Sequence, residues 1–204
     1  MPRVLLALVL LPLLAISAPV PKSLKAVNYF PLRVGDRWVY EQNGMEVVEE
    51  VSTVSERDGE VRVVIDVAKG DGTDWAVEYV VAGGTVYHAK TWVATFDPPI
   101  RMLELDLRAG AKWVSTIPPT KEGGVGHAAS GEMAVGEAEE VDVPAGRFRA
   151  VPVTWTKTEE GGNPLAKPKV SVYWYVAGIG LVKTKNDGGE KVLKEFTPAK
   201  DAKK

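Results

Sequence analysis

Beyond residue 36, apolar and polar residues alternate with a period of two over most of the chain, and short turn signals separate the alternating runs. That period marks strands with one face on a core. Val61, Val63, Ile65 and Val67 share a side, with Arg62, Val64 and Asp66 opposite. The same count groups Trp75 with Val77, Tyr79 and Val81, Trp92 with Ala94 and Phe96, Val151 with Val153 and Trp155, and Val170 with Val172, Trp174 and Val176. Each Trp falls on the more apolar face and is expected to fill the core. Tyr173 and Tyr175 fall on the face opposite Val172 and Trp174, which predicts that they are exposed or line a second surface.

The turns are as legible as the strands. Asn43-Gly44, Asp58-Gly59, Asp71-Gly72 and Gly83-Gly84 each separate two strand-like runs. Such pairs suit two-residue hairpins, whose central residues need positive φ. Asp97-Pro98-Pro99 is expected to stop the strand that begins at Thr85, because proline cannot donate to a ladder. Ile100–Leu107 follows with Leu103, Leu105 and Leu107 alternating, and a short helix there is the alternative. Glu132–Val143 and Arg147–Thr158 read as strands joined by Pro144-Ala145-Gly146, a three-residue loop with Gly146 in the left-handed position. Gly178-Ile179-Gly180 and Asp187-Gly188-Gly189 separate the last three strands. Pro118–Gly131 and Glu159–Lys169 read as loops that could gate one rim. No interval reads as a strong amphipathic helix. The predicted fold is all-β, with about a dozen strands in an antiparallel meander curled into a barrel or half-barrel.

One device recurs. Leu32-Arg33-Val34-Gly35-Asp36-Arg37-Trp38-Val39 is echoed by Leu107-Arg108-Ala109-Gly110-Ala111-Lys112-Trp113-Val114. Gly35 and Gly110 suit a tight turn, and Trp38 and Trp113 suit aromatic anchors at the start of a strand. We expect one turn-and-anchor device used twice in a single sheet, with both Trp buried. Gly146, Trp174, Gly178 and Gly180 complete the expected structural anchors.

Three fragments in order, Phe30-Pro31-Leu32-x-x-Gly35-x-x-Trp38-x-Tyr40, Val143-Pro144-Ala145-Gly146-x-Phe148 and Tyr173-Trp174-Tyr175-x-x-Gly178-x-Gly180-Leu181-Val182-Lys183, resemble a family of exported bacterial β proteins. That family is similar to the open, curved sheet of periplasmic lipoprotein carriers (LolA/LolB-like). The resemblance spans roughly Tyr29 to Phe196 and brings no catalytic residues. The carriers cover their concave face with helices, whereas no stretch here reads as one.

Composition narrows the function classes. Formal net charge is −2 over 204 residues, without the basic excess a nucleic-acid surface needs. Met1–Ala18 pairs Arg3 with an apolar run and small residues, as an export signal does, and the run is short for a membrane span. Residues 19–28 are then a lead-in, 29–197 a single β domain and 198–204 a disordered tail. Export predicts a periplasmic or extracellular location with no membrane span in the mature form. With no Cys and only His88 and His127, a zinc site and a cofactor are not expected. Ser115, Ser130 and the two His form no recognisable hydrolase motif. Glu46, Glu49, Glu50, Glu78, Glu139 and Glu140 read as solvated strand faces, and Asp71-Gly72-Thr73-Asp74 as a hairpin turn rather than a calcium loop. The expected function is non-catalytic binding of a lipid, another apolar or amphiphilic small molecule, or an envelope partner in a concave sheet. Tyr173, Tyr175 and Tyr40 are the candidate contacts. The alternatives are an envelope interaction or structural module with a filled core and, more distantly, an envelope hydrolase.

Overall fold

The computed structural model describes residues 29–119, 128–159 and 167–200. Both candidate gating loops, His127 and the expected export signal lie wholly or largely outside these residues. Thirteen strands are described: β1 (Arg37–Gln42), β2 (Met45–Arg57), β3 (Glu60–Lys69), β4 (Asp74–Ala82), β5 (Thr85–Lys90), β6 (Thr95–Glu104), β7 (Lys112–Ile117), β8 (Ala129–Val135), β9 (Glu139–Val143), β10 (Gly146–Glu159), β11 (Lys169–Val176), β12 (Gly180–Asn186) and β13 (Gly189–Thr197). All pairings are antiparallel, in the order β6-β5-β4-β3-β2-β1-β13-β12-β11-β10-β8-β7. β9 pairs with β10 off this path. The end strands β6 and β7 touch without a ladder, so the sheet is a nearly closed barrel. Among the described residues no helix is long and apolar enough to cross a membrane.

The hairpins follow from turn chemistry. Asn43-Gly44, Asp58-Gly59 and Gly83-Gly84 all hold positive φ at both positions. At Asp71-Gly72 only the Gly does so, and Asp71 Oδ1 accepts a hydrogen bond from the Thr73 N–H. That side-chain turn is the ordinary use of Asp in a loop.

The repeated device builds the same bonds twice. Gly35 N donates to Val51 O, Asp36 N to Arg33 O, and Val51 N to Asp36 O. Gly110 N donates to Val135 O, Ala111 N to Arg108 O, and Val135 N to Ala111 O. Gly35 and Gly110 sit at φ +91° and +83°, where a side chain would be strained. The first copy launches β1 and the second β7, so each opens one half of the meander. Trp38 and Trp113 are 3% and 6% exposed. Leu32 and Leu107 are buried beside them in the core.

The structure corrects several strand assignments. The run from Thr85 breaks at a turn in which Thr91 N donates to Ala94 O, and the Thr91 hydroxyl accepts from the N–H groups of Val93 and Ala94. Trp92 therefore leaves the sheet and is 71% exposed instead of buried. Asp97-Pro98-Pro99 does not end a strand. It lies within β6, where the register slips between His88↔Ile100 and Lys90↔Thr95. An edge strand with a bulge tolerates the missing donors. Met102–Glu104 is strand, not helix. β8 begins at Ala129, before the predicted start, and the run to Val143 breaks after Val135, where Gly136 N turns to Pro152 O. Gly131 belongs to β8. A Cβ there would stand 2.6 Å from Lys157 Cα and 2.8 Å from Trp155 Nε1, so glycine lets the two strands and the indole close up. The β9–β10 turn is only Pro144-Ala145, because Gly146 already pairs with Val143.

The largest correction concerns β11. Ser171 and Tyr175 are buried, Tyr173 is half-buried on the same face, and Val170 is exposed. The apolar face of Val170, Val172 and Trp174 is thus the outer one. Trp174 is held there by Glu139 of β9, whose Oε1 accepts from Nε1 at 2.6 Å, and by Lys183 above its ring. It is not an interior anchor. The inner faces of β3 (Val61, Val63, Ile65, Val67) and of β10 (Val153, Trp155) are buried as the alternation predicts.

Replacing Trp38 or Trp113 with Ala is expected to cost about 3–5 kcal/mol, as for other buried aromatics. The same change at Trp92 should stay within about 0.5 kcal/mol. Urea denaturation monitored by circular dichroism separates the two classes.

Candidate functional site

The inner face of β1 organises the site. Trp38 and Tyr40 point inward, opposite Glu49 and Val47 of β2. On the other side β1 pairs with β13, and the register slips between Val39 and Tyr40. β13 pairs with β12 only from Lys183 onward, so the first residues of β12 part from it. Trp38 Nε1 donates to Ile179 O at 2.8 Å, and the Tyr40 hydroxyl donates to Leu181 O at 2.9 Å. Two indispensable donors thereby meet carbonyls that the neighbouring strand does not reach. Gly180, at φ +95°, lies against Pro31: a Cβ there would be 3.6 Å from Pro31 Cδ. Two of the fragments singled out in the sequence, around Phe30–Tyr40 and Gly178–Lys183, are therefore one packed unit.

Where β12 parts from β13 the barrel is hollow. A cavity of about 230 Å³ opens there, walled by Trp38, Tyr40, Tyr79, Tyr175, Leu103 and Ile65, with Tyr29, Phe30 and Pro31 forming a strap across it. Phe30 packs its ring edge-on to Tyr79, 5.0 Å between centroids. A second hollow of about 190 Å³ shares Phe30, Pro31 and Trp38 as a wall.

The cavity is apolar in area but not in chemistry. Glu49 and Lys191 both line it and form a close ion pair, with side chains only 20% and 17% exposed. Lys191 Nζ also stands 4.0 Å from the centre of the Tyr40 ring. Glu49 thus departs from the solvated-face reading. Glu46 and Glu78 keep to it, paired across the surface with Lys194 and Arg62. Burial pushes the Tyr40 hydroxyl well above its usual range, with Glu49, Tyr175 and Tyr79 adding to the rise. Burial does the same to Tyr79, reinforced by Glu49 and Tyr173, and to Tyr175, reinforced by Tyr173 and Tyr79. Tyr173 is also raised by burial, partly offset by a hydrogen bond with Ser171. The phenols therefore stay neutral donors at physiological pH. Tyr40 spends its hydrogen on Leu181, whereas the Tyr79 and Tyr175 hydroxyls have no protein partner among the described residues.

Of the predicted contacts, Tyr40, Tyr173 and Tyr175 are brought together in this cavity. Tyr175 arrives by being buried, not exposed. The sequence reading missed Glu49, Lys191 and Tyr79. Glu49 lies two residues from Val47 and from Val51, and Lys191 two from Leu193, all buried. A charge on the core parity was the signal available. His88 stands behind Tyr79, stacked at 5.0 Å and edge-on to Phe96. Burial lowers its pKa, with a backbone hydrogen bond at Lys90 opposing. Among the described residues no group of His, Asp and Glu could hold a metal ion.

The fold and the site define an antiparallel β-barrel with a small, partly polar internal cavity. No protein-family model and no curated protein sequence matches the chain. A solved structure of an inferred lipoprotein from Parabacteroides distasonis is similar to it, at 15% identity and a TM-score of 0.55, covering 84% of this chain and 99% of that one. An inferred exported protein with a YmcC-like fold from Bacteroides fragilis matches at 17% identity and a TM-score of 0.47, over 85% and 100% of the two chains.

As tyrosine pKa values raised in the fold imply, stability from the neutral phenols is complete below the unfolded value near 10 and lost as pH rises above it. In an alkaline titration, tyrosinate absorbance from Tyr40, Tyr79 and Tyr175 is expected only together with loss of near-ultraviolet circular dichroism. Tyrosinate formed in the still-folded protein, and removed by Tyr175→Phe, would contradict the burial described.

Proposed function

We propose that the chain is an exported, non-catalytic binding protein that takes a small apolar or amphiphilic molecule into the hollow beside β1. The carrying observation is the cavity itself: about 230 Å³ remains open inside a nearly closed barrel whose path runs through twelve strands, wider than the roughly eight-stranded barrels that side chains fill. That volume lies just below the usual range for small-molecule sites. It suits a short chain or a single head group with the remainder of the ligand outside. The export reading is supported by the apolar leader at Met1–Ala18 and is compatible with the inferred lipoprotein that shares the fold. The non-catalytic reading is supported by the cavity's own chemistry. Its lining carboxylate, Glu49, is tied to Lys191, and its phenols are held neutral.

The open interior disfavours the alternative of a structural module with a filled core. Trp92 supports a partner contact as a second reading, since most of it stands in solvent at a turn beside exposed Val93.

Native mass spectrometry of gently purified protein is expected to show one small molecule bound per chain. Leu181→Trp fills the cavity while leaving the backbone carbonyl that Tyr40 uses, and should abolish the adduct without unfolding the barrel. An adduct that survives in Leu181→Trp would place the binding elsewhere.

A further inference from the structure

The lining chemistry carries the binding reading further. Glu49 and Lys191 bring opposite charges into contact at the cavity wall, and both are mostly withdrawn from water. A charged group entering this space meets a like charge as closely as an opposite one. It must also compete for a partner that is already taken. The pair therefore confers no preference for either sign and penalises both. Tyr79, Tyr175 and Thr184 line the cavity, and among the described residues the two phenol hydroxyls have no protein partner. A hydrocarbon entering would strip water from these groups and return nothing, which is costly. A group that both donates and accepts hydrogen bonds repays each of them. The aromatic walls, among them the Tyr40 ring beneath Lys191, complement an apolar ring face.

We infer that the cavity selects an uncharged, hydroxyl-bearing head group of an amphiphile, excluding carboxylate and quaternary ammonium heads through the Glu49–Lys191 pair. This rests on the binding function proposed above. The selection has two physical parts. The phenols reward the hydroxyls, and the internally neutral ion pair rejects net charge. Breaking the pair from one side should convert the site. With Glu49 neutral, Lys191 becomes an unpaired cation facing the cavity and welcomes an anion. With Lys191 neutral, Glu49 becomes an unpaired anion beside the Tyr40 ring and welcomes a cation.

The test uses three probes with the same tail: octyl glucoside, octanoate and octyltrimethylammonium. Binding to the full chain is followed by isothermal calorimetry below micelle formation. The wild-type protein is expected to prefer octyl glucoside by at least about ten-fold over either charged probe. Tyr175→Phe should weaken octyl glucoside roughly five-fold, the effect of one hydrogen bond, and leave the charged probes unchanged. Glu49→Gln should raise octanoate affinity about ten-fold, and Lys191→Gln should do the same for octyltrimethylammonium. Because the wild-type comparison needs no substitution, instability of a variant does not shield the inference. Equal binding of all three probes, or variants whose charge preference does not shift, would overturn the head-group selection and leave the binding function standing. Failure of every probe to bind would overturn both.

Discussion

The structure depends on the meeting of β1 with the end of the chain. Trp38 and Tyr40 reach past β13 to the carbonyls of Ile179 and Leu181, 141 residues further along in each case. β1 also pairs with β13, and apart from that ladder and the β8–β10 pairing every strand pairs with a neighbour in sequence. The first strand thus closes the circle that the hairpins alone leave open. Asp36, at the start of β1, extends the same clasp by accepting a hydrogen bond from the Ala199 N–H. Remove the clasp and two half-meanders remain, each launched by its own copy of the Leu-Arg-x-Gly-x-basic-Trp turn.

The cavity is a by-product of how that closure is made. Because the first residues of β12 part from β13, aromatic side chains rather than backbone finish the hydrogen bonding there. Large rings on one wall keep the space from collapsing, and the Tyr29–Pro31 strap roofs it. Polar groups inside such a space are tolerated only when they are paired. Glu49 and Lys191 satisfy that condition with each other. Among the described residues Tyr79 and Tyr175 do not satisfy it with protein, and this is the difference between a packing defect and a site.

Turn chemistry and strand count were legible because they are local. An Asn-Gly pair or a repeated glycine turn imposes its backbone wherever it stands, and the duplicated turn forms the same three hydrogen bonds in both places. The facing of β11 was not legible. Counting apolar residues assumes that the more apolar face is inward, but β9 and Lys183 give Trp174 an outside home, while a partly polar cavity accepts Tyr173 and Tyr175. In Glu46-Val47-Val48-Glu49-Glu50-Val51 the alternation through Val47 and Val51 is more apolar than the other by a single residue, and the pairing with Trp38 and Tyr40 shows that Glu49 turns in. Trp92 and the proline pair failed differently. A side-chain turn at Thr91 and a bulged edge strand override propensities that assume an unbroken ladder.

The central claim is that the hollow beside β1 is a binding site and not a gap in packing. A high-resolution crystal structure of protein purified without detergent tests it most directly. The account predicts non-protein density in the cavity, with a hydrogen-bonding group within reach of the Tyr79 and Tyr175 hydroxyls and the Glu49–Lys191 pair intact. A cavity closed by rearranged side chains, or one in which those hydroxyls bond to protein, would contradict it.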